Sequence, residues 1–190
     1  SNLSIQSNVI RAAHKANVKR LLFLGSSCIY PKNCPQPIKE EYLLTSELEL
    51  TNRPYSIAKI SGIEMCWSFN RQFGTKFLAV MPTNLYGIND NYNLKNSHVL
   101  PALIRKFYEA KINKSDFVEV WGSGNPMREF LFSDDLANAL IFLMQLNEKA
   151  YDKILSQKFG PIINIGSGVE ISIKELSILL SKIIKFNGKI

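Results

Sequence analysis

The sequence has 190 residues, of which 46% are hydrophobic and 21% are charged, and this length suits one globular domain of ~100–200 residues. Three cysteines without a CxxC spacing argue against a disulfide framework and favour reduced thiols in the cytoplasm, and no apolar stretch reaches the ~18 residues that a membrane span needs. The formal net charge of +7 is scattered along the chain, so no basic cluster indicates a nucleic-acid or membrane partner.

The first third of the chain is predicted to form a helix, a strand and a second helix. Apolar residues with helical spacing predict the first helix over residues 5–17. The run 21–24 is apolar on both faces, which is typical of a buried parallel strand. Residues 31–53 contain three prolines and are predicted to be a loop. Pro54 can then begin a helix that continues to Gly74.

The rest of the chain is predicted to continue the alternation of strands and helices. Its predicted strands are 77–81, 117–121 and 162–165, and its predicted helices are 99–110, 136–146 and a last one beginning at Ser172. Residues 86–98 are polar and predicted to be a loop. Asp134 and Asp135 are placed to cap a helix, and Ser172 with Glu175 has the spacing of a capping box. Apolar strands alternating with helices predict an α/β fold built from parallel βαβ units.

A dinucleotide-binding fold carries a glycine-rich turn after its first strand, where the cofactor pyrophosphate meets a helix N-terminus. No segment fits that description, because Gly166 and Gly168 come too late and are too few. The chain also lacks an initiating Met. We therefore expect residues 1–190 to be a single incomplete domain: part of a Rossmann-like, doubly wound parallel sheet whose glycine-rich N-terminal half is missing. The alternative is a chain that does not bind a dinucleotide.

The strongest local signal is the pair Tyr55 and Lys59, which share one face of the predicted helix because they are spaced i, i+4. A phenol ionises with a pKa of ~10, and one close cation at an effective dielectric of about 20 can lower that value by roughly three units. Ser26 follows a predicted strand, at the sheet edge where open α/β folds bind ligands. A strand-end serine followed by YxxxK resembles the short-chain dehydrogenase/reductase superfamily.

Six further motifs narrow the resemblance. They cover residues 25–32, 51–60, 81–87, 96–104, 120–130 and 134–135. Together they resemble the GDP-L-fucose synthase family over about residues 8–185. That resemblance implies an NADP-dependent cytoplasmic homodimer that acts on a nucleotide sugar: it epimerises C3 and C5 of GDP-4-keto-6-deoxy-D-mannose and then reduces C4 to give GDP-L-fucose. No metal ligand is implied.

The resemblance also implies roles for individual residues. Cys28 and His98 would exchange protons with C3 and C5, since epimerisation needs one group to remove a proton and another to return it. Ser26, or less favourably Ser27, would hydrogen-bond the 4-keto oxygen, Tyr55 would protonate it, and Lys59 would lower the pKa of that tyrosine. The implied cofactor-binding residues are Leu24, Gly25, Ser26, Ser27, Tyr55, Lys59, Pro82, Thr83, Asn84, Leu85 and His98.

Substrate contacts are implied for Lys106, Trp121 and Arg128, with substrate-binding segments at about 88–130 and 169–190. Family members can carry arginine at position 106, and a lysine there attracts phosphate without gripping it through two nitrogens. Without the resemblance, Trp121 would be a core residue, Arg128 a partner in a surface ion pair, Cys28 a buried apolar cysteine and His98 a loop histidine. The alternatives are another nucleotide-sugar epimerase or dehydratase, and a truncated, non-catalytic binding module.

Overall fold

The structure is a computed structural model that describes residues 1–190. Its helices are α1 (Asn2–Lys15), α2 (Arg53–Phe73), α3 (Val99–Ile112), α4 (Ser133–Gln145), α5 (Glu148–Leu155) and α6 (Ile173–Ile184). Its strands are β1 (Arg20–Leu24), β2 (Lys76–Pro82), β3 (Asn84–Tyr86), β4 (Met127–Phe132), β5 (Ile162–Ile165) and β6 (Glu170–Ser172). No helix combines the length and the apolar character that crossing a membrane requires.

The chain divides into two compact units, and the first comprises residues 1–83 and 135–165. Its sheet is parallel, with strand order β1-β2-β5. The central strand, β2, is buried along its length, which agrees with an apolar sequence that needs cover on both faces. The predicted strands at 21–24, 77–81 and 162–165 are confirmed, and so is the parallel α/β class.

Two helices pack together beside this sheet. Ile10 of α1 meets Cys66 of α2 and Phe77 of β2 in one buried cluster. The long helix α2 has proline in its first turn and ends at Gly74. Gly74 has a φ of 67°, a left-handed conformation that glycine adopts without a steric cost and that closes many helices. The predicted helices at 5–17 and from Pro54 to Gly74 are confirmed.

Strand β1 is parallel as predicted, but it is less buried than its apolar sequence suggests. Only β2 pairs with it, so it lies at the edge of the sheet. Its first four residues are half-buried and Leu24 is 42% exposed.

The second unit comprises residues 84–134 and 166–190. Its sheet has the order β3-β4-β6, with β3 parallel and β6 antiparallel to β4. Helices α3 and α6 share a core in which Leu103, Phe107 and Leu176 are buried. The predicted capping box opens α6, because the Ser172 hydroxyl accepts from the Glu175 N–H and the Glu175 carboxylate accepts from the Ser172 N–H. The predicted substrate-binding segments, 88–130 and 169–190, lie in this unit, and their role stays a prediction.

The strand predicted at 117–121 is wrong. Only Phe117 pairs, in a single parallel bridge with Lys189, and Val118 adds one hydrogen bond from its N–H to the Lys189 carbonyl at 2.9 Å. A strand needs a neighbour that pairs along its length, and this segment has none. Strand β4 was not predicted because Arg128 and Glu129 interrupt its apolar pattern.

Three other elements were also missed. Strands β3 and β6 have three residues each, which is too short to show an alternating pattern. Helix α5 is polar and short, but Asn147 caps it by accepting from the Ala150 N–H at 2.9 Å, and that capping signal is visible in the sequence.

Helix α4 begins at Ser133, so Asp134 and Asp135 lie inside its first turn instead of preceding it. Acidic side chains there still interact favourably with the helix dipole.

Candidate active site

The carboxyl ends of the parallel strands lie side by side in the first unit. The Gly25 N–H, just after β1, donates to the Val80 carbonyl of β2 at 2.8 Å, and the Thr83 N–H, just after β2, donates to the Ile165 carbonyl of β5 at 3.1 Å. A side chain on Gly25 would overlap the thioether of Met81, so a larger residue there would have to displace the buried end of the Met81 side chain. This edge is where open α/β sheets bind ligands.

A short 3-10 turn, Ser27–Ile29, follows β1 and presents the predicted polar groups. The Ser26 hydroxyl caps the turn by accepting from the Cys28 N–H at 3.3 Å, and Ile29 anchors it in the core with no exposed surface. Ser26, Ser27 and Cys28 are all half-buried. Cys28 is therefore not a core cysteine, in contrast to Cys66, which is fully buried.

Tyr55 and Lys59 lie on the first turns of α2, one turn apart. The Lys59 ammonium donates to the Leu24 carbonyl at 2.8 Å, at the point where β1 ends. It also lies 5.8 Å from the centre of the Tyr55 ring. Partial burial lowers the pKa of Lys59, because a low-dielectric setting disfavours the charged form. Tyr55 is 38% exposed, so its ring is accessible to a ligand beside a cation.

Two residues that the sequence analysis missed fix the chain beyond the turn. Tyr30 is buried, and its hydroxyl donates to the Asn164 side-chain oxygen at 2.5 Å. Burial, with the nearby Glu40 carboxylate, raises the pKa of Tyr30, so the phenol stays protonated and acts as a donor. The Asn164 N–H in turn donates to Glu40 at 2.8 Å. A lone asparagine inside the apolar strand β5 was the sequence signal for this anchor.

His98 lies in the second unit at the N-cap position of α3, and its exposed side chain makes no capping hydrogen bond. The loop before it is held by its own asparagines: the Asn91 amide donates to the Asn96 side-chain oxygen at 3.0 Å. Arg105 of α3 reaches back to the Tyr92 carbonyl at 3.0 Å. The exposed imidazole of His98 thus follows a loop that is held by hydrogen bonds on either side of it.

The structure brings two of the predicted substrate-binding residues into contact. The Lys106 ammonium lies 4.0 Å from the centre of the Trp121 ring and donates to the Glu119 carbonyl at 3.1 Å. Trp121 is 71% exposed, so it is not a core residue. An exposed indole can stack on a planar base while the ammonium attracts phosphate. Arg128 donates to the Met127 carbonyl at 2.7 Å and forms no ion pair.

The predicted catalytic, cofactor-binding and substrate-binding residues are divided between the two units. The predicted residues in the first unit are Leu24, Gly25, Ser26, Ser27, Cys28, Tyr55, Lys59, Pro82 and Thr83, and those in the second are Asn84, Leu85, His98, Lys106, Trp121 and Arg128. Asn84 is fixed inside the second unit, because its amide donates to the Glu129 carbonyl at 2.9 Å. No group of three or more His, Cys, Asp and Glu side chains is arranged to hold a metal ion.

The end of β2 fits the polar part of a bound ligand. The Thr83 hydroxyl is buried and has no hydrogen-bond partner in the chain, and such orphaned groups call for an explanation. A ligand lying across the strand ends could provide the missing partner. Pyrophosphate binding is less well supported, since the glycine-containing segment 166–168 leads into β6 and not into a helix.

The first unit combines a parallel sheet, helices packed beside it, a serine turn after one strand and a Tyr–Lys pair on the next helix. This combination defines a Rossmann-like α/β fold with polar side chains gathered at the carboxyl ends of its strands. Residues 1–166 match the NAD dependent epimerase/dehydratase family, and the chain belongs to that family.

Relatives with assigned names agree with the resemblance found in the sequence. The chain is 54% identical to the putative GDP-L-fucose synthase 2 of Arabidopsis thaliana and 50% identical to the GDP-L-fucose synthase of Escherichia coli K12, with the whole chain aligned in both cases. It spans 55% and 59% of the length of these two relatives. The predicted similarity to GDP-L-fucose synthases is therefore confirmed.

Solved structures confirm the fold class. The GDP-mannoheptose C4 reductase from Campylobacter jejuni with NADP bound superposes with a TM-score of 0.88 at 38% identity, over 99% of this chain and 63% of the other. The GDP-L-fucose synthetase from Naegleria fowleri bound to NADP superposes with a TM-score of 0.85 at 30% identity, over 100% and 56%.

The contact between Lys106 and Trp121 leads to a prediction for nucleotide binding. We expect added GDP to quench Trp121 fluorescence, because an exposed indole would stack on the base. Lys106→Met should weaken GDP binding by about fivefold, the loss expected when one partly exposed charge pair of about 1 kcal/mol is removed. Fluorescence titration measures both effects.

The matched control for this titration is Trp67→Phe. Trp67 also lies beneath a cation, with the Arg71 guanidinium 4.7 Å from its ring centre, but it belongs to the first unit. GDP quenching should survive Trp67→Phe and disappear in Trp121→Phe. Quenching that persists without Trp121 would show that the nucleotide binds elsewhere.

Proposed function

We propose that this protein belongs to an NADPH-dependent enzyme and provides catalytic residues at the carboxyl ends of its strands. The enzyme epimerises GDP-4-keto-6-deoxy-D-mannose at C3 and C5 and then reduces it at C4 to GDP-L-fucose. The single observation that carries the proposal is the hydrogen bond from Lys59 to the end of β1, with Tyr55 one helical turn away. The identities to GDP-L-fucose synthases of a plant and a bacterium support the choice of substrate. The NADP-bound synthetase of Naegleria fowleri supports the cofactor.

Epimerisation is assigned to Cys28 and His98. The carbons beside a ketone are acidic because the resulting enolate places charge on oxygen, so one group can remove a proton and another can return it to the opposite face. A thiol and an imidazole both change protonation near neutral pH. Support comes from the half-buried thiol at the turn after β1 and from the exposed imidazole at the start of α3.

Reduction is assigned to Ser26, Tyr55 and Lys59. The Ser26 hydroxyl would hold the 4-keto oxygen, and the Tyr55 phenol would protonate it. The Lys59 ammonium lies 5.8 Å from the centre of the Tyr55 ring, so both side chains can contact one bound ligand. The cofactor supplies the hydride. The proposed cofactor contacts are Leu24, Gly25, Ser26, Ser27, Tyr55, Lys59, Pro82, Thr83, Asn84, Leu85 and His98.

Substrate binding is assigned to Lys106, Trp121 and Arg128. Trp121 and Lys106 form one exposed aromatic and cationic pair, suited to a base and a diphosphate. Arg128 has no carboxylate partner, so its planar group can pair with phosphate through two nitrogens. A cytoplasmic homodimer is part of the proposal, and the exposed apolar side chains of Leu3 and Ile5 on α1 support contact with a second copy.

A second candidate is a 4-keto reductase that does not epimerise. It is favoured by the 38% identity and close superposition with the GDP-mannoheptose C4 reductase from Campylobacter jejuni. The deciding experiment supplies the complete gene product with NADPH and GDP-4-keto-6-deoxy-D-mannose in deuterated water. Our proposal requires deuterium at C3 and C5 of the product, whereas reduction without deuterium at those carbons would favour the second candidate.

We expect the 190 residues alone to bind NADPH only weakly. A cofactor pyrophosphate is normally held by backbone N–H groups of a glycine-rich turn at a helix N-terminus, and no strand here leads into a helix through such a turn. Contacts near Ser26, Tyr55 and Lys59 would remain. Titration calorimetry with the purified chain measures the affinity, and a Kd near 1 μM would show that a complete cofactor site exists within these residues.

A further inference from the structure

The residue directly after Tyr55 is a buried serine that links α2 to the turn after β1. Ser56 has no exposed surface. Its hydroxyl lies 2.7 Å from the Cys28 carbonyl oxygen and 3.1 Å from the Asn52 carbonyl oxygen of its own helix. A hydroxyl has one proton to donate, and the shorter distance identifies the Cys28 carbonyl as the better acceptor. The two elements that carry Tyr55 and Cys28 are therefore joined by this hydroxyl.

The Ser56 contact completes the fixation of the Cys28 backbone. The Cys28 N–H donates to the Ser26 hydroxyl at 3.3 Å, and the Cys28 carbonyl accepts from Ser56. One turn further along α2, Lys59 holds the Leu24 carbonyl at 2.8 Å. Helix α2 thus holds the segment 24–28 through two side chains, Ser56 and Lys59, which lie just after Tyr55 in the helix. Of Cys28, only the thiol side chain is left without a hydrogen bond.

We propose that Ser56 is a positioning residue for the reaction: its hydroxyl keeps the Cys28 thiol and the Ser26 hydroxyl in a fixed place relative to Tyr55. This inference rests on the proposed function. Reacting groups must be held close to a productive geometry, and a displacement of about 1 Å can cost about 100-fold in rate. Ser56 is buried and acts through Cys28, so it is not itself a catalytic residue.

Helix α2 provides a matched control for Ser56. The Ser61 hydroxyl donates to the Ile57 carbonyl at 2.9 Å, the same bond to the fourth preceding residue, but it reaches no other element. Ser56→Ala and Ser61→Ala therefore remove the same group, and only the first releases the turn. Alanine is the best helix former, so both variants keep the helix. Ser56→Thr retains the hydroxyl and tests for rescue.

The first measurement is the rate at which iodoacetamide alkylates each cysteine, resolved by peptide mass spectrometry. We expect Cys28 to react at least about threefold faster in Ser56→Ala, because the released turn opens more often. Cys34 and the buried Cys66 report on general loosening and should keep their rates. Ser61→Ala should match wild type, and Ser56→Thr should restore the slow rate. Equal Cys28 rates in Ser56→Ala and wild type would overturn the proposal, as would equal acceleration of all three cysteines.

The second measurement is steady-state turnover and deuterium exchange at C3 and C5 by the complete gene product. Ser56→Ala should lower kcat and the exchange rate by about 10- to 100-fold, with KM changed by less than about twofold, because Ser56 does not touch the substrate. A higher KM with unchanged kcat would overturn the proposal. Absence of turnover by the wild-type protein would overturn the proposed function, and the alkylation rates would then still decide whether Ser56 holds Cys28.

Discussion

Replacement of Tyr55 by phenylalanine should abolish reduction while deuterium exchange at C3 and C5 continues. The phenol is the proposed donor of the proton to the 4-keto oxygen, and it has no role at the neighbouring carbons. Loss of a general acid costs about 10²- to 10⁴-fold in rate. NADPH oxidation measures the reduction, and NMR of the recovered keto sugar measures the exchange, both with the complete gene product.

The matched control for this experiment is Tyr108→Phe, which removes the same hydroxyl from an exposed tyrosine on α3. That variant should retain both activities. If exchange falls in step with reduction in Tyr55→Phe, one acid serves both stages and the separate assignment of Cys28 and His98 is wrong. If reduction persists, Tyr55 is not the proton donor, and the position of Lys59 beside its ring has another purpose.

Replacement of either proposed epimerisation residue should impair exchange at C3 and C5 while reduction continues, the reverse of the result expected for Tyr55→Phe. Cys28→Ser and His98→Asn should each slow exchange at C3 and C5 by about 10²- to 10⁴-fold, because each removes one proton-transfer group. A ketone that already has its final configuration should still be reduced, since Ser26, Tyr55 and Lys59 are unchanged. Chromatography of the sugar products separates the two outcomes.

The chain contains one natural control for each of these changes. Cys34→Ser alters a half-buried thiol outside the turn, and His14→Asn alters an imidazole that stacks on Phe73 with ring centres 4.3 Å apart. Both control variants should retain epimerisation. Full exchange in Cys28→Ser and His98→Asn would contradict the assignment and would favour a reductase without epimerase activity.

The elements that sequence predicted well are those with long or uninterrupted apolar patterns. Helices α1 and α2 show helical spacing over several turns, and β2 and β5 are apolar on both faces. Strand β4 was missed because charged residues interrupt its apolar pattern. Its pairing with β3 and β6 is made by backbone groups, which do not depend on that pattern. The segment 117–121 was overpredicted for the opposite reason: its apolar pattern suits a strand, but no partner runs beside it.

In the candidate site, too, local spacing was predictable from the sequence and contacts between distant segments were not. The spacing of Tyr55 and Lys59 placed both on one helix face, because an i, i+4 pair follows from helix geometry alone. That Lys59 would bond the Leu24 carbonyl, or Ser56 the Cys28 carbonyl, could not be foreseen, since each contact joins residues far apart in the chain. The exposed pairing of Trp121 with Lys106 was likewise set by how α3 lies against residues 117–121.

By itself, the sequence determined the parallel α/β class, the helix that carries Tyr55 and Lys59, and the resemblance to GDP-L-fucose synthases, because local spacing and motif order are properties of the chain. The tertiary structure alone decided that Cys28 is half-buried at a turn and that Ser56 fixes this turn to α2. Burial and hydrogen-bond partners depend on which distant segments pack together, and packing is settled by the whole fold.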